Sequence, residues 1–149
     1  MTDTNEAQDG LSQLRARITG GMAAPLLRQL GIACVEVERG RVVFEGTPDG
    51  NHLNPMGAVH GGYAAALLDS ACGMAVQSAL GANRSHTTLE LKVSYLKALT
   101  ERSGTVRAVA APRSPDRPYS VNVQQPGDIN PEGATRVFVA GGEVVAIAD

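Results

Sequence analysis

The sequence predicts an α+β domain in which an antiparallel sheet wraps around one long central helix. Three observations carry that prediction. Between residues 61 and 80 nearly every side chain is small or apolar, enough for a helix of roughly 30 Å at 1.5 Å per residue. Residues 88–97 alternate strictly, with Leu89, Leu91, Val93 and Tyr95 on one face and Thr88, Glu90, Lys92 and Ser94 on the other, the period of a strand with one wet face. Further short strand-like stretches follow, at 104–111, 119–125, 136–140 and 143–147, with no second helical period among them.

The elements are read in order along the chain. Leu11, Leu14, Ile18 and Met22 recur at spacings of three and four, an apolar helical stripe whose start Asp9 or Ser12 can cap. The Gly20-Gly21 pair and Pro25 end or break it. A second short turn over 25–30 runs into Gly31, and residues 32–37 and 41–45 then read as a hairpin around Arg39-Gly40. Residues 47–57 are rich in Pro, Gly, Asn and Asp and form a loop with several restricted backbone positions. The long helix follows; being apolar on all sides it should be buried, with Gly81 placed to cap its end. Five of the eight prolines fall between 112 and 131, so strands there should be short or at sheet edges.

Length and composition narrow the function classes. A chain of 149 residues is one domain by size, able to bury its own core. We read residues 1–25 as an N-terminal helical segment and 26–149 as the main body of that single domain. With 43% hydrophobic and 19% charged residues it is globular rather than disordered. A formal charge of −2 and only five aromatic residues leave little to neutralise phosphates or stack on bases, so no nucleic-acid partner is expected. No apolar run reaches the roughly 18–20 residues that span a bilayer, and residues 1–9 lack the basic and apolar regions of a signal peptide, so a cytoplasmic protein without a membrane partner is expected. Cys34 and Cys72 sit singly among apolar neighbours, without the spacing of a zinc site, and no metal is expected.

The candidate chemistry lies on the long helix and the loop that feeds it. Asp69 is a carboxylate in an otherwise apolar run; it must sit on a wet edge, accept hydrogen bonds, or do chemistry, because burying it unpaired is costly. Before the helix runs Asn54-Pro55-Met56-Gly57-Ala58-Val59-His60-Gly61-Gly62. Two glycines at a helix start let a ligand approach the main chain, where free N–H groups and the helix dipole favour an oxyanion. The same pair would also permit no more than a tight turn. His60 is a base or, more commonly for such a residue, the side chain that fixes the loop.

This string resembles the hotdog-fold acyl-CoA thioesterases of the 4-hydroxybenzoyl-CoA and phenylacetate-degradation (PaaI-like) group. The resemblance runs from about residue 26 to 99 and rests on His60-Gly61-Gly62, an Asn six positions before the histidine and an acid nine after it. It implies a hotdog fold and a small hydrolase that cleaves an aryl- or medium-chain acyl-CoA thioester to free acid and coenzyme A. No cofactor is implied, coenzyme A being part of the substrate. Carried over residue by residue, Asp69 is the catalytic carboxylate, as general base or nucleophile. The Gly61 N–H polarises the thioester carbonyl, Asn54 assists it or orients the loop, and His60 is mainly a positioning residue. Thr88 falls where some members use a hydroxyl to hold the attacking water. Gly62 and Tyr63 would line the substrate pocket. After residues 106–108 the chain departs from the family pattern, with proline-rich stretches at 111–118 and 125–131 that a lengthened loop, a rearranged sheet edge or an altered reading frame would each produce.

Gly61 and Asp69 are eight residues apart on one helix, about 12 Å along its axis, whereas catalytic contacts are near 3 Å. Two such helices packed antiparallel would bring Asp69 of one chain beside Gly61 of another, so the site should be shared across a homodimer, with two sites per dimer. The family adds the expectation of a dimer of dimers. Two other functions fit the same residues. One is an acyl-thioester dehydratase or hydratase, which would need both a histidine and an acid on one substrate; the other is a non-catalytic acyl-CoA-binding module.

Overall fold

The computed structural model of the chain describes residues 8–21, 24–88, 91, 93, 95, 97–114, 117–124, 135–140 and 143–147. It begins with two helices, α1 (Gly10–Thr19) and α2 (Pro25–Gln29). The hairpin β1 (Ile32–Glu38) and β2 (Arg41–Gly46) follows. A loop holding a single 3-10 turn over Gly50–His52 leads into the long helix α3 (Gly61–Ala79). Four strands follow among the described residues: β3 (Val106–Ser114), β4 (Arg117–Gln124), β5 (Thr135–Ala140) and β6 (Glu143–Ile147). All six strands form one antiparallel sheet in sequence order, with α3 packed across β1 to β4, the helix-on-sheet arrangement expected of a hotdog fold. Among the described residues no helix is long and apolar enough to cross a membrane.

The core lies between α3 and the sheet. Tyr63, Ala64, Leu67, Leu68, Ala71, Cys72 and Ala75 recur at the helical spacing that forms one stripe, and they meet Val42, Phe44, Val106, Ala108 and Ala110 of β2 and β3. The helix is therefore not buried on all sides as its composition suggests. Ala65, Ala66, Asp69, Ser70 and Met74 are only half-buried, because a helix on a single sheet has one face to bury. The end of α3 is tied down by buried Ser78, whose hydroxyl donates to the Ala75 carbonyl and accepts from the Gly40 N–H, both at 2.7 Å. Gly40 turns the β1–β2 hairpin with φ of 76°, in the region that favours glycine. The helix ends on Leu80 as its cap, not on Gly81.

Helix α1 docks on the far end of α3. Asp9 caps it, its carboxylate accepting from the Ser12 N–H at 2.9 Å and pairing with Arg39. The Gly10 N–H donates to the Leu80 carbonyl at 3.0 Å, and a Cβ on Gly10 would lie 1.8 Å from the Gln77 carbonyl oxygen, so only glycine permits this approach. Leu14 is buried and Ile18 partly exposed; Met22, the last member of the predicted stripe, lies outside the described residues.

One strand expectation lies largely outside the described residues and one changes. The strand expected over 88–97 falls largely outside the described residues, since Leu89, Glu90, Lys92, Ser94 and Leu96 are not among them; of the rest, Leu91 and Val93 are half-buried against the core while Tyr95 is exposed. The proline-rich stretch 111–118 does not confine strands to short or edge positions. β3 and β4 are nine and eight residues long, both are internal to the sheet, and their pairing continues through Pro112 opposite Tyr119 to Ser114 opposite Arg117. The second such stretch, 125–131, lies outside the described residues.

Candidate active site

The loop before α3 is held in shape by its own polar side chains. Asp49 caps the 3-10 turn, and the Asn54 carboxamide oxygen accepts from the N–H groups of Met56 at 2.9 Å and Ala58 at 3.2 Å. Asn54 is thus committed, within the protomer, to orienting the loop. Gly57 turns it with φ of 80°, and Leu53 bridges Val59. The loop is anchored at its end by the His60 N–H to the His52 carbonyl at 2.7 Å and the Val59 N–H to the Leu99 carbonyl at 2.9 Å.

That loop delivers His60 as the N-cap of α3. Its Nδ1 accepts from the Gly62 N–H at 2.9 Å, taking up one of the donors that a helix start leaves unpaired. Among the described residues the Gly61 N–H has no such acceptor, so it is the open donor at this helix end, where the dipole adds positive potential. Tyr95 covers the same residue. Its hydroxyl donates to the Gly61 carbonyl at 3.0 Å, and a Cβ on Gly61 would stand 3.1 Å from its ring.

Asp69 lies two turns further along α3, on the half-buried flank. One carboxylate oxygen accepts from the Thr88 hydroxyl at 2.7 Å. With its O–H directed at the carboxylate, the Thr88 oxygen keeps lone pairs to accept from a water, and the second carboxylate oxygen can accept from that same water. Asp69 and Thr88 border a cavity of about 530 Å³ between α3, β1 and the two N-terminal helices, together with Ser70 and His86. Gly61 is not on its wall, being on the same unbroken helix but a dozen ångströms away, about 1.5 Å for each of the eight intervening steps.

Gly62 and Tyr63 do not line this cavity either. Tyr63 follows the helical period of Leu67 and Ala71, so it turns to the sheet; it is 3% exposed, stacks at a tilt on the His52 ring with centroids 4.8 Å apart, and abuts Gly46. Burial, with the charge of Asp49, pushes its hydroxyl up to about 12. Desolvation also raises both thiols, Cys34 on the cavity wall to about 11 and Cys72 to about 12, the latter with help from the Asp69 charge.

His86 and Tyr95 were not singled out by the sequence. His86 reaches the cavity with Nδ1 3.1 Å from the Gln77 side-chain oxygen, while its ring sits where a Cβ on Gly73 would meet it at 2.6 Å. Burial lowers its pKa, which the nearby Asp69 charge partly opposes. Neither residue belongs to a motif: His86 is in the turn after α3 and Tyr95 occupies a position read as ordinary core. Among the described residues no three His, Cys, Asp or Glu side chains converge to hold a metal.

The sequence profile of the thioesterase superfamily matches residues 56–113, from the glycine-rich loop through β3. ComA2 of Bacillus subtilis strain 168, for which an esterase role has been suggested, is 35% identical over 96 residues, spanning 61% of this chain and 71% of ComA2. Among solved structures, the PaaI protein from the phenylacetic acid degradation operon of E. coli superposes with a TM-score of 0.62 over 77% of this chain and 82% of its own, at 21% identity, a likeness of fold. A mutant of the phenylacetic acid degradation protein PaaI of Thermus thermophilus is 28% identical, with a TM-score of 0.59 over 70% of this chain and 89% of its own.

Proposed function

The chain belongs to the thioesterase superfamily, and we propose that it hydrolyses an aryl- or medium-chain acyl-CoA thioester to the free acid and coenzyme A. The observation that carries this reading is the Thr88 hydroxyl donating to the Asp69 carboxylate at the edge of a largely apolar cavity, an arrangement that can orient a water next to a thioester.

In this reading the water bound between Thr88 and Asp69 attacks the thioester carbonyl carbon while its proton passes to Asp69. The carbonyl oxygen becomes an oxyanion and accepts the Gly61 N–H of the partner subunit, the donor that His60 leaves open by taking the Gly62 N–H instead. Collapse of the tetrahedral intermediate breaks the C–S bond. The coenzyme A thiolate leaves and takes the proton from Asp69. The length of α3 supports sharing between subunits, since Asp69 and Gly61 of one chain cannot reach one carbonyl. His60 supports hydrolysis over dehydration, because one of its ring nitrogens is already used as a cap.

The test is release of free thiol from a panel of acyl-CoA thioesters. Asp69→Asn should lower turnover ~10²- to 10⁴-fold with the fold intact. A variant with near-wild-type turnover would overturn the assignment.

A further inference from the structure

The cavity has two unlike walls. On the α3 side stand Asp69, Thr88 and His86; on the other, the N-terminal helices contribute Leu14, Ile18, Leu26 and Leu27, with Arg17 beside them. Ile18 and Leu26 are 42% and 57% exposed, large aliphatic side chains left open beside an apolar hollow. They gain full contact only when something apolar occupies it. Residues 10–30, which build this wall, lie outside the stretch that matches the superfamily profile.

We propose that this cavity is the acyl pocket, that its N-terminal wall selects the acyl group, and that it prefers a medium-chain aliphatic acyl group to an aryl one. The proposal rests on the hydrolase reading for the identity of the ligand, since Asp69 at the cavity edge places the thioester there. Size separates the two classes of acyl group. At about 30 Å³ per carbon, close to the share of a water molecule in the liquid, the eight carbons of a phenylacetyl group fill less than half of the 530 Å³, while a ten-carbon chain fills more than half. Unfilled space forfeits packing contacts, so the longer and more flexible group gains more. The wall chemistry points the same way: Phe44 and His86 are the only ring side chains lining the cavity among the described residues, the rest of the apolar lining being aliphatic, methionine or the Cys34 thiol.

The test compares kcat/KM for decanoyl-, phenylacetyl- and acetyl-CoA in the wild type and in an Ile18→Trp/Leu26→Trp variant, which fills the cavity from exposed positions. The wild type should favour decanoyl- over phenylacetyl-CoA by about 10-fold or more, and the variant should lower the decanoyl-to-acetyl ratio by about 10-fold, the scale of discrimination a few methylenes provide. If the double variant fails to fold, Leu26→Ala should lower the same ratio in the same direction. Decanoate binding by calorimetry gives a readout free of turnover: the wild type should bind it and the variant should bind it more weakly. Turnover with an unchanged ratio in the variant, or a preference for phenylacetyl-CoA, overturns the pocket assignment and leaves the hydrolase reading standing. Decanoate binding that the variant weakens, without hydrolysis of any thioester, overturns the hydrolase reading and keeps the pocket. Absence of both binding and selectivity overturns the pocket.

Discussion

Asp69 faces the cavity because of where the helical period puts it, one and two residues beyond the fully buried Leu68 and Leu67 and so past the edge of the stripe that meets the sheet. Its pairing with Thr88 joins α3 to the segment that follows it and brings together two residues nineteen positions apart. Tyr63 shows the same rule with the opposite result: it is on the stripe, so a residue that motif position suggests for substrate binding is spent on the core. Its hydroxyl has no hydrogen-bond partner among the described residues and lies against Gly46, where a Cβ would stand 2.1 Å from it and 3.0 Å from Ile32. Gly46→Ala should therefore destabilise the protein by about 1–3 kcal/mol through overpacking. Urea denaturation followed by circular dichroism measures this; an unchanged midpoint would contradict the packing described for Tyr63.

At the scale of elements, α1 is held by its cap, by the close approach of Gly10 to α3 and by the Asp9–Arg39 ion pair. Hydrogen bonds to the Ser12 backbone and side chain, then the Arg39 guanidinium, bring the Asp9 carboxyl down to about 2 from the ordinary 3.8. A carboxylate with its folded-state pKa lowered contributes in full above the unfolded value and loses that contribution as pH falls through the folded one. Docking of α1 should thus be intact above about pH 4 and weaken between about pH 4 and 2, with Asp9→Asn abolishing that dependence. Amide hydrogen exchange in α1 follows it; protection independent of pH in the wild type would contradict the role given to Asp9. The helices, the hairpin and the C-terminal strands were legible in the sequence because each has a local period or turn residue. Residues 88–97 were legible only in part: alternation turned Leu91 and Val93 toward the core, where they lie, but also Tyr95, which is exposed. Likewise, apolar composition gave α3 its length but not its open flank, which depends on having a sheet on one side only.

For the whole molecule, the motif from Asn54 to Asp69 made the family and fold legible, and the structure adds how its parts are divided. Asn54 and His60 shape the loop and cap the helix, Gly61 is left as the open donor, and Asp69 with Thr88 stands at a cavity beyond the reach of that donor. His86, Tyr95 and the N-terminal wall were hidden because only the folded chain brings them to α3. The separation of donor from carboxylate along one helix makes the account depend on two chains. Mixing two inactive variants tests this most directly. Gly61→Pro removes the donor at a first-turn position whose backbone suits proline, His60 before it having φ of −60° and ψ of 134°, and requires the exposed Tyr95 ring to move by a few tenths of an ångström. Asp69→Asn removes the base. If each site takes one residue from each chain, every mixed dimer holds one intact site and one doubly impaired site, so co-refolded variants should regain about a quarter of wild-type activity at random pairing. Activity in the mixture no higher than in the separate variants, with mixed dimers demonstrated by mass, would contradict the shared site.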